Sequence, residues 1–275
     1  MIRYFGDYVI DTLKTGLLKV AIPSKLNDPF EFSIVPTGQV SQKTAEARIE
    51  DSIKGGDVLK QIRTQRGDPE LTNEAIISEL RSNPKFVDCQ KDPENWKDHY
   101  KDECLPIADR MMRLLCLSAS NITKNGDILM WSHYGHSHSG FRLHFNTDFL
   151  DQNGISKDHV KYRDQRPKID INVGRHDSKY HQQINTSTKT KGKFWKYEKE
   201  VRFFIEPKLC VTDQDMDYIA FPPDFLTRID IGIRADPKVI EELKSILQLD
   251  KYKHVELHQT KLSETKYSLD YASIS

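Results

Sequence analysis

The chain has only four cysteines in 275 residues, Cys89, Cys104, Cys116 and Cys210, and no two of them make a CxxC pair. Such scattered thiols exclude a disulfide framework and offer no zinc-ribbon spacing; they read as the reduced thiols of a cytoplasmic protein. Net charge is missing as well, since 41 Lys and Arg stand against 41 Asp and Glu. That balance disfavours a protein held to DNA or RNA by bulk electrostatics, while leaving room for a local basic patch. No run reaches the roughly 20 apolar residues that a membrane helix needs. The first twenty residues mix acids, bases and apolar side chains, unlike a signal peptide. GxGxxG, GxxxxGK[ST] and GxSxG do not occur, which removes the usual dinucleotide, P-loop and hydrolase-elbow signatures. Internal repeats and low-complexity segments are also absent.

What is present suits a packed protein. Hydrophobic residues make up 37% of the chain, and the 12 Phe, 11 Tyr and 3 Trp need an interior. The opening reads strand, helix, strand: Ile2 to Phe5, then a helix from Asp7 as cap to about Lys14, then Leu17 to Ile22 stopped by Pro23. From about 42 to 112 the sequence turns polar and helical, with helix patterns at Ala45 to Lys54, Asn73 to Arg81 and Ile107 to Leu115. Its apolar residues are too sparse for a core of its own, so it reads as an insertion. Strand patterns return at Leu114 to Ser118 and at Phe141 to Phe145, where Phe141, Leu143 and Phe145 alternate with Arg142 and His144. Val160 to Tyr162, Glu200 to Ile205, Ile229 to Ile233, Val255 to His258 and Lys266 to Leu269 are further strands. Helices are expected at Lys179 to Lys189 and, capped by Asp236, at Pro237 to Leu247. Without regular βαβ alternation, this predicts one α+β domain over residues 1–275, with a mixed, mostly antiparallel sheet and the helical insertion at about 42–112.

Three constellations could carry chemistry. The first is Asn27-Asp28-Pro29-Phe30-Glu31, where Asn, Asp and Pro specify a stiff turn after a strand. It is either a substrate contact through Asn27 and Asp28 or a capped turn anchored in the core by Phe30. The second, Leu129 to Gly140, places Trp131, His133, Tyr134, His136 and His138 close together. Its imidazoles could bind metal, its rings could stack on a base or a nicotinamide, or it could be a packed aromatic loop. The third is Lys193 to Arg202. On a strand, Glu198, Glu200 and Arg202 would share one face. One acid could steady positive charge on a sugar while the other takes a proton, with Arg202 holding Glu200 ionised or gripping a phosphate. Equally, the two acids could be an ion-paired strand edge. Ser118, Ser120 and the cysteines have no sequence-adjacent base.

Taken in order, Asn27 to Glu31, Cys116-Leu117-Ser118 with Met130 to Gly140, and Trp195 to Arg202 resemble the bacterial family known as domain of unknown function 2971, over about residues 2–205. A second resemblance is to ADP-ribosyltransferase-like folds of the arginine-serine-glutamate class, through Arg3, Ser118-Ala119-Ser120 and Glu198-Lys199-Glu200. That resemblance implies NAD as a substrate. Arg3, with Tyr4 beside it on the first strand, would bind phosphate or ribose, Ser118 and Ser120 would shape the nicotinamide pocket, and Tyr134 or Trp131 would stack on the ring. Glu200 would stabilise the oxocarbenium-like transition state and Glu198 would activate the acceptor.

The expectation is therefore an NAD-consuming ADP-ribosyltransferase or NAD glycohydrolase, an effector of toxin or anti-phage type. Glu200, Glu198 and His133 would be its catalytic residues. Arg3, Tyr4, Asn27, Asp28, Ser118, Trp131, Tyr134, His138 and Arg202 would bind substrate, with no metal required. One alternative is a non-catalytic nucleotide or nucleic-acid sensor in which Trp131, Tyr134 and the histidines stack a base. Another is metal-dependent phosphodiester chemistry on Asp28, Glu31, His133 and His138. The partner in the leading reading is a nucleotide-type small molecule; no membrane is involved, and the oligomeric state is not legible.

Overall fold

The computed structural model describes residues 1–6, 8–38, 50, 57–83, 105–173 and 178–274. The chain divides into two compact units, one made of Met1–Asp28, Ala108–Asp164 and Lys191–Ser275, the other of Pro29–Ile107 and Gln165–Thr190.

The first unit is built on an eight-stranded sheet. Its strands are β1 (Ile2–Phe5), β2 (Arg113–Ser118), β3 (Phe141–Phe145), β4 (Ser156–His159), β5 (Glu200–Ile205), β6 (Leu226–Ile231), β7 (Glu256–Leu262) and β8 (Leu269–Ser273). They lie in the order β8-β7-β6-β3-β1-β2-β5-β4. Every neighbouring pair is antiparallel except β6 and β7. That parallel pair needs a crossover, supplied by helix α3 (Pro237–Leu247), which Asp236 caps by accepting from Lys238 N. The fold is α+β with a mixed, mostly antiparallel sheet, as expected.

Alternation within the strands gives the sheet two different faces. Phe5, Leu115, Leu117, Phe141, Leu143, Phe145, Val201, Phe203, Ile229 and Ile231 form the apolar face. They pack with Val9 and Leu13 of helix α1 (Val9–Thr15), closed by Gly16 at φ 69°, and with Leu243 and Ile246 of α3. Each fully buried side chain of this kind contributes about 1.5–3 kcal/mol. The other face carries polar residues and is covered by helix α2 (Lys124–His133).

The second unit contains helices Asp57–Arg66, Asn73–Ser82 and Ser178–Thr188, and a parallel pair of short strands, Val35–Thr37 and Lys168–Asp170. Ile34, Ile169 and Ile171 make a small core there with Tyr180 and Ile184.

Several expectations are revised. Phe30 does not anchor its turn, being 63% exposed; Phe32, at φ 56°, is the buried residue. The helix expected over 107–115 runs instead over Leu105–Met111, because the apolar run from Leu114 joins the sheet as β2. The last strand starts at Leu269, where the 266–269 pattern was expected to be strand. Asp7, the helix pattern over 45–54, Cys89 and Cys104 lie outside the described residues.

After α2 the backbone makes an unusual turn. His136, Ser137 and His138 take φ values of 48°, 51° and 69°, three left-handed residues in succession without a glycine. Each costs about 1–2 kcal/mol locally. The turn is held by His138 N donating to Trp131 O, Gly140 N to Gly135 O, and Arg234 N to His138 O. It also depends on close backbone approach at Gly140, where an added Cβ would lie 2.0 Å from Phe5 O. Gly140→Ala must therefore push β1 away from the turn. We expect it to lower stability by about 2–4 kcal/mol, read as a fall of the thermal midpoint by about 5–15 °C.

Candidate functional site

The site is built on the polar face. Strand register sets Ser118 opposite both Ile2 and Glu200, and Arg142 opposite both Tyr4 and Asp230. Arg202 lies opposite Cys116 and Asp158. Polar residues of matching parity in five or more strands thus line one surface, and within it Arg202 and Asp230 are 0% exposed.

Under the middle of α2 lies the first cluster. The helix starts at Thr123, whose side chain accepts from Gly126 N, and it buries Asp127, Met130 and Trp131 along one stripe. Arg142 donates to Asp127 at 2.7 Å and to Asp230 at 2.6 Å. Tyr4 donates to Asp127 at 2.7 Å, and Tyr271 also donates to it, while Trp131 Nε1 donates to Tyr271 at 3.0 Å. Asp230 is further bound by Arg228 and His144, each at 2.6 Å. Burial opposes the charge of Asp230, but His144, Arg142 and Arg228 outweigh it and hold the carboxyl down at about 2. Burial likewise works against Arg142, yet Tyr4, Asp230, Tyr271 and Asp127 together raise its pKa above that of an ordinary arginine.

The second cluster lies at the β5 end. Here Glu198 is not on a strand with Glu200: a 3-10 turn, Lys193–Glu198, is followed by Lys199 at φ 45°, and β5 begins at Glu200. Glu198 and Glu200 still meet, because Lys191 Nζ reaches both, at 2.7 and 3.4 Å. Tyr134 donates its hydroxyl to Glu198 at 2.6 Å, and Arg202 Nε donates to Glu200 at 2.7 Å. The consequences differ for the two acids. Desolvation pushes Glu198 up, against Lys191 and Tyr134. Glu200 is desolvated too, but Arg202 overcomes this and brings it down to about 2. Tyr134 is raised by burial and by Glu198.

The structure brings together Glu198, Glu200, Arg202, Tyr134 and Ser118. Tyr4 and Trp131 belong to the neighbouring cluster, where Trp131, 0% exposed and edge-on to Tyr4, presents no free ring face. His133 sits at the surface, its ring stacked on Tyr197 and near Trp195. Arg3 does not join them. It shares the opposite face with Phe5 and donates to Lys19 O at 2.7 Å, so the arginine-serine-glutamate trio is not assembled. Asn27 is exposed and Asp28 buried. His138 stands at the left-handed turn, with Nε2 3.0 Å from Ser132 Oγ, and its pKa is lowered by burial and by Arg234.

Sequence reasoning missed Asp127, Lys191, Asp230 and Tyr271. The alternation of Arg142 and His144 was legible, and Arg228 and Asp230 show the same parity in β6. Nothing in the sequence from Thr188 to Lys193 marks Lys191 as buried. Among the described residues, no group of three or more His, Cys, Asp or Glu is placed to hold a metal ion, and no helix is long and apolar enough to cross a membrane.

Residues 130–203 match the family model described as "Protein of unknown function (DUF2971)", so the resemblance drawn from the 130–140 and 195–202 blocks holds over that segment. The matched stretch runs from the end of α2 through the left-handed turn to Glu198, Glu200 and Arg202. No curated protein and no solved structure matches the chain.

Asp230 provides a test of the electrostatics. Its folded carboxyl titrates near 2, below the ordinary value of about 3.9, so the folded state binds fewer protons in that interval. Its stabilisation is present above pH ~4 and is lost as pH falls towards 2. Asp230→Asn should flatten that part of the acid limb in urea titrations. At pH 7 it should cost about 3–5 kcal/mol, because Arg142 and Arg228 lose the buried carboxylate they share and Arg142 keeps Asp127 alone against its charge.

Proposed function

We propose that this protein is an enzyme that breaks or transfers the N-glycosyl bond of a nucleotide, with NAD as the first substrate to test. One observation carries the reading: two carboxyls share a single ammonium, Lys191, yet their surroundings push their protonation in opposite directions. Pairs split in this way divide acid–base labour.

Glu200, kept ionised by Arg202, is suited to steady the positive charge that grows on the ribose as the C–N bond breaks. The nicotinamide departs as a neutral base and needs no proton. Glu198, with its raised pKa, takes the proton from the attacking water or acceptor hydroxyl, and Tyr134 orients it. Hydrolysis then balances as NAD plus water giving ADP-ribose, nicotinamide and a proton. Ser118, opposite Glu200, lines the same end of the sheet. Arg202 acts on Glu200 and not on a phosphate, being fully buried, and Arg3 has no part. Glu198 and Glu200 are 3% and 6% exposed, so the reading entails movement of the Lys193–Glu198 turn, which already displays Phe194 at 92% exposure. An NAD-consuming effector of toxin or anti-phage type, working in the cytoplasm, is the role such chemistry would serve.

The test is release of nicotinamide from NAD, followed by chromatography. Wild type should exceed Glu200→Gln by about 10²–10³-fold. Tyr134→Phe leaves no charge unpaired, and should retain the fold while slowing turnover about tenfold. It should also move the acid limb of the rate profile to higher pH, because the lost hydroxyl favoured the ionised form of Glu198. Equal background release from wild type and Glu200→Gln would reject the proposal.

A further inference from the structure

A cleft of about 580 Å³ opens on a different side of α2, beside the left-handed turn and the segment joining β7 to β8. The helix separates it from the glutamates. Gly126 and His133, seven residues apart, face the Lys193–Glu198 turn, whereas Ile128 and Ser132, four apart, face His138 and the cleft.

Three features point to a ligand. Arg234 and Lys266 stand at the rim with no carboxylate partner among the described residues, against a single acid, Glu264. The walls are apolar: Ile233, Leu262 and Tyr267 are 36%, 69% and 98% exposed, an unusual cluster to leave in water. Finally, the strained turn that carries His138 is tied by its carbonyl to Arg234 N at 2.9 Å, and Gly232 makes room for it, since a Cβ there would meet His138 O at 2.4 Å. Backbone strain of this kind is characteristically kept where a side chain must be presented.

We propose that this cleft is a binding site for a small organic anion bearing a flat ring, the anionic group against Arg234 and Lys266 and the ring between Tyr267 and Ile233. The volume lies in the range of small-molecule sites. The anion can be a phosphate, as in a nucleoside monophosphate, or a carboxylate, as in an aromatic acid. The site stands independently of the glutamate chemistry.

The test is isothermal titration of the full chain with AMP, with benzoate and with inorganic phosphate. A ring-bearing anion should bind saturably below about 1 mM, AMP alone marking a phosphate ligand and benzoate alone a carboxylate ligand. Inorganic phosphate should bind at least about tenfold more weakly than AMP. Arg234→Ala, at an exposed position, should leave the thermal midpoint in place and weaken binding at least about tenfold. Tyr267→Ala should weaken it about fivefold or more, and Glu264→Gln should tighten it. Glu200→Gln should not change the affinity, which separates this site from the proposed catalytic one. The proposal is overturned by the absence of saturable binding of either ring-bearing anion, by phosphate binding as tightly as AMP, or by Arg234→Ala or Glu200→Gln behaving opposite to these expectations.

Discussion

The constraint on which this structure turns is the burial of charge on one face of a sheet. Asp230 sits beneath α2 with no exposure and accepts from Arg142, Arg228 and His144. Removing any charge of this kind from water costs several kcal/mol, and the cost is recovered only if every partner is in place. The sheet register, the approach of α2 and the position of β8 are therefore linked. Asp127 comes from the helix, Arg142 from β3, Tyr4 from β1 and Tyr271 from β8, and all meet within one hydrogen-bonded group. An apolar helix–sheet interface would tolerate sliding. This one does not, because a shift of one residue would turn Arg142 and Asp230 into the apolar core and bring Leu143 and Ile229 to the charges.

The same arrangement explains why the second cluster is so polarised. Lys191, Arg202, Glu198 and Glu200 form a local balance of two cations and two anions with little solvent to smooth it. In such a setting the nearest partner decides. Glu200 has the planar, permanently charged guanidinium of Arg202 on its own strand, while Glu198 has an ammonium shared with Glu200 and a neutral phenol. Two residues apart in sequence, the acids become chemically different because the backbone reverses at Lys199 between them.

Much of the sheet was readable from alternation. Phe141 to Phe145 and Glu200 to Ile205 appeared as strands at the residues where they occur, and the Asp236–Pro237 start of α3 followed from capping chemistry. What could not be read was which polar residues would be buried. Arg142, Arg202 and Asp230 look like the solvated side of amphipathic strands, and only three-dimensional packing over this face makes them interior. Local signals also lost where tertiary packing won. Leu114 and Leu115 were drawn into β2 instead of continuing a helix, and Glu198 ended a 3-10 turn although its neighbours alternate like a strand. In the candidate site, Glu198, Glu200, Arg202 and Tyr134 were found from pattern. Lys191 was not, since a lysine in Thr-Lys-Thr-Lys-Gly-Lys carries no mark of burial.

Parity keeps Arg3 out of the constellation. Alternation alone places Arg3 on the Phe5 side once Tyr4 is bound to Asp127 and Arg142. No rotamer change brings a side chain through a sheet, so a short motif that spans three strands must satisfy parity as well as order. Ser118 and Glu200 meet that condition by direct pairing, and Arg3 fails it. The chemistry argued for the glutamates must therefore rest on their own electrostatics. The permanent cations near them, Lys191 and Arg202, tune the carboxyls and are not free to grip a phosphate. If a nucleotide is bound there, its phosphates must be neutralised by other groups, and its ribose has to come to the carboxyls from the side now covered by the Lys193–Glu198 turn.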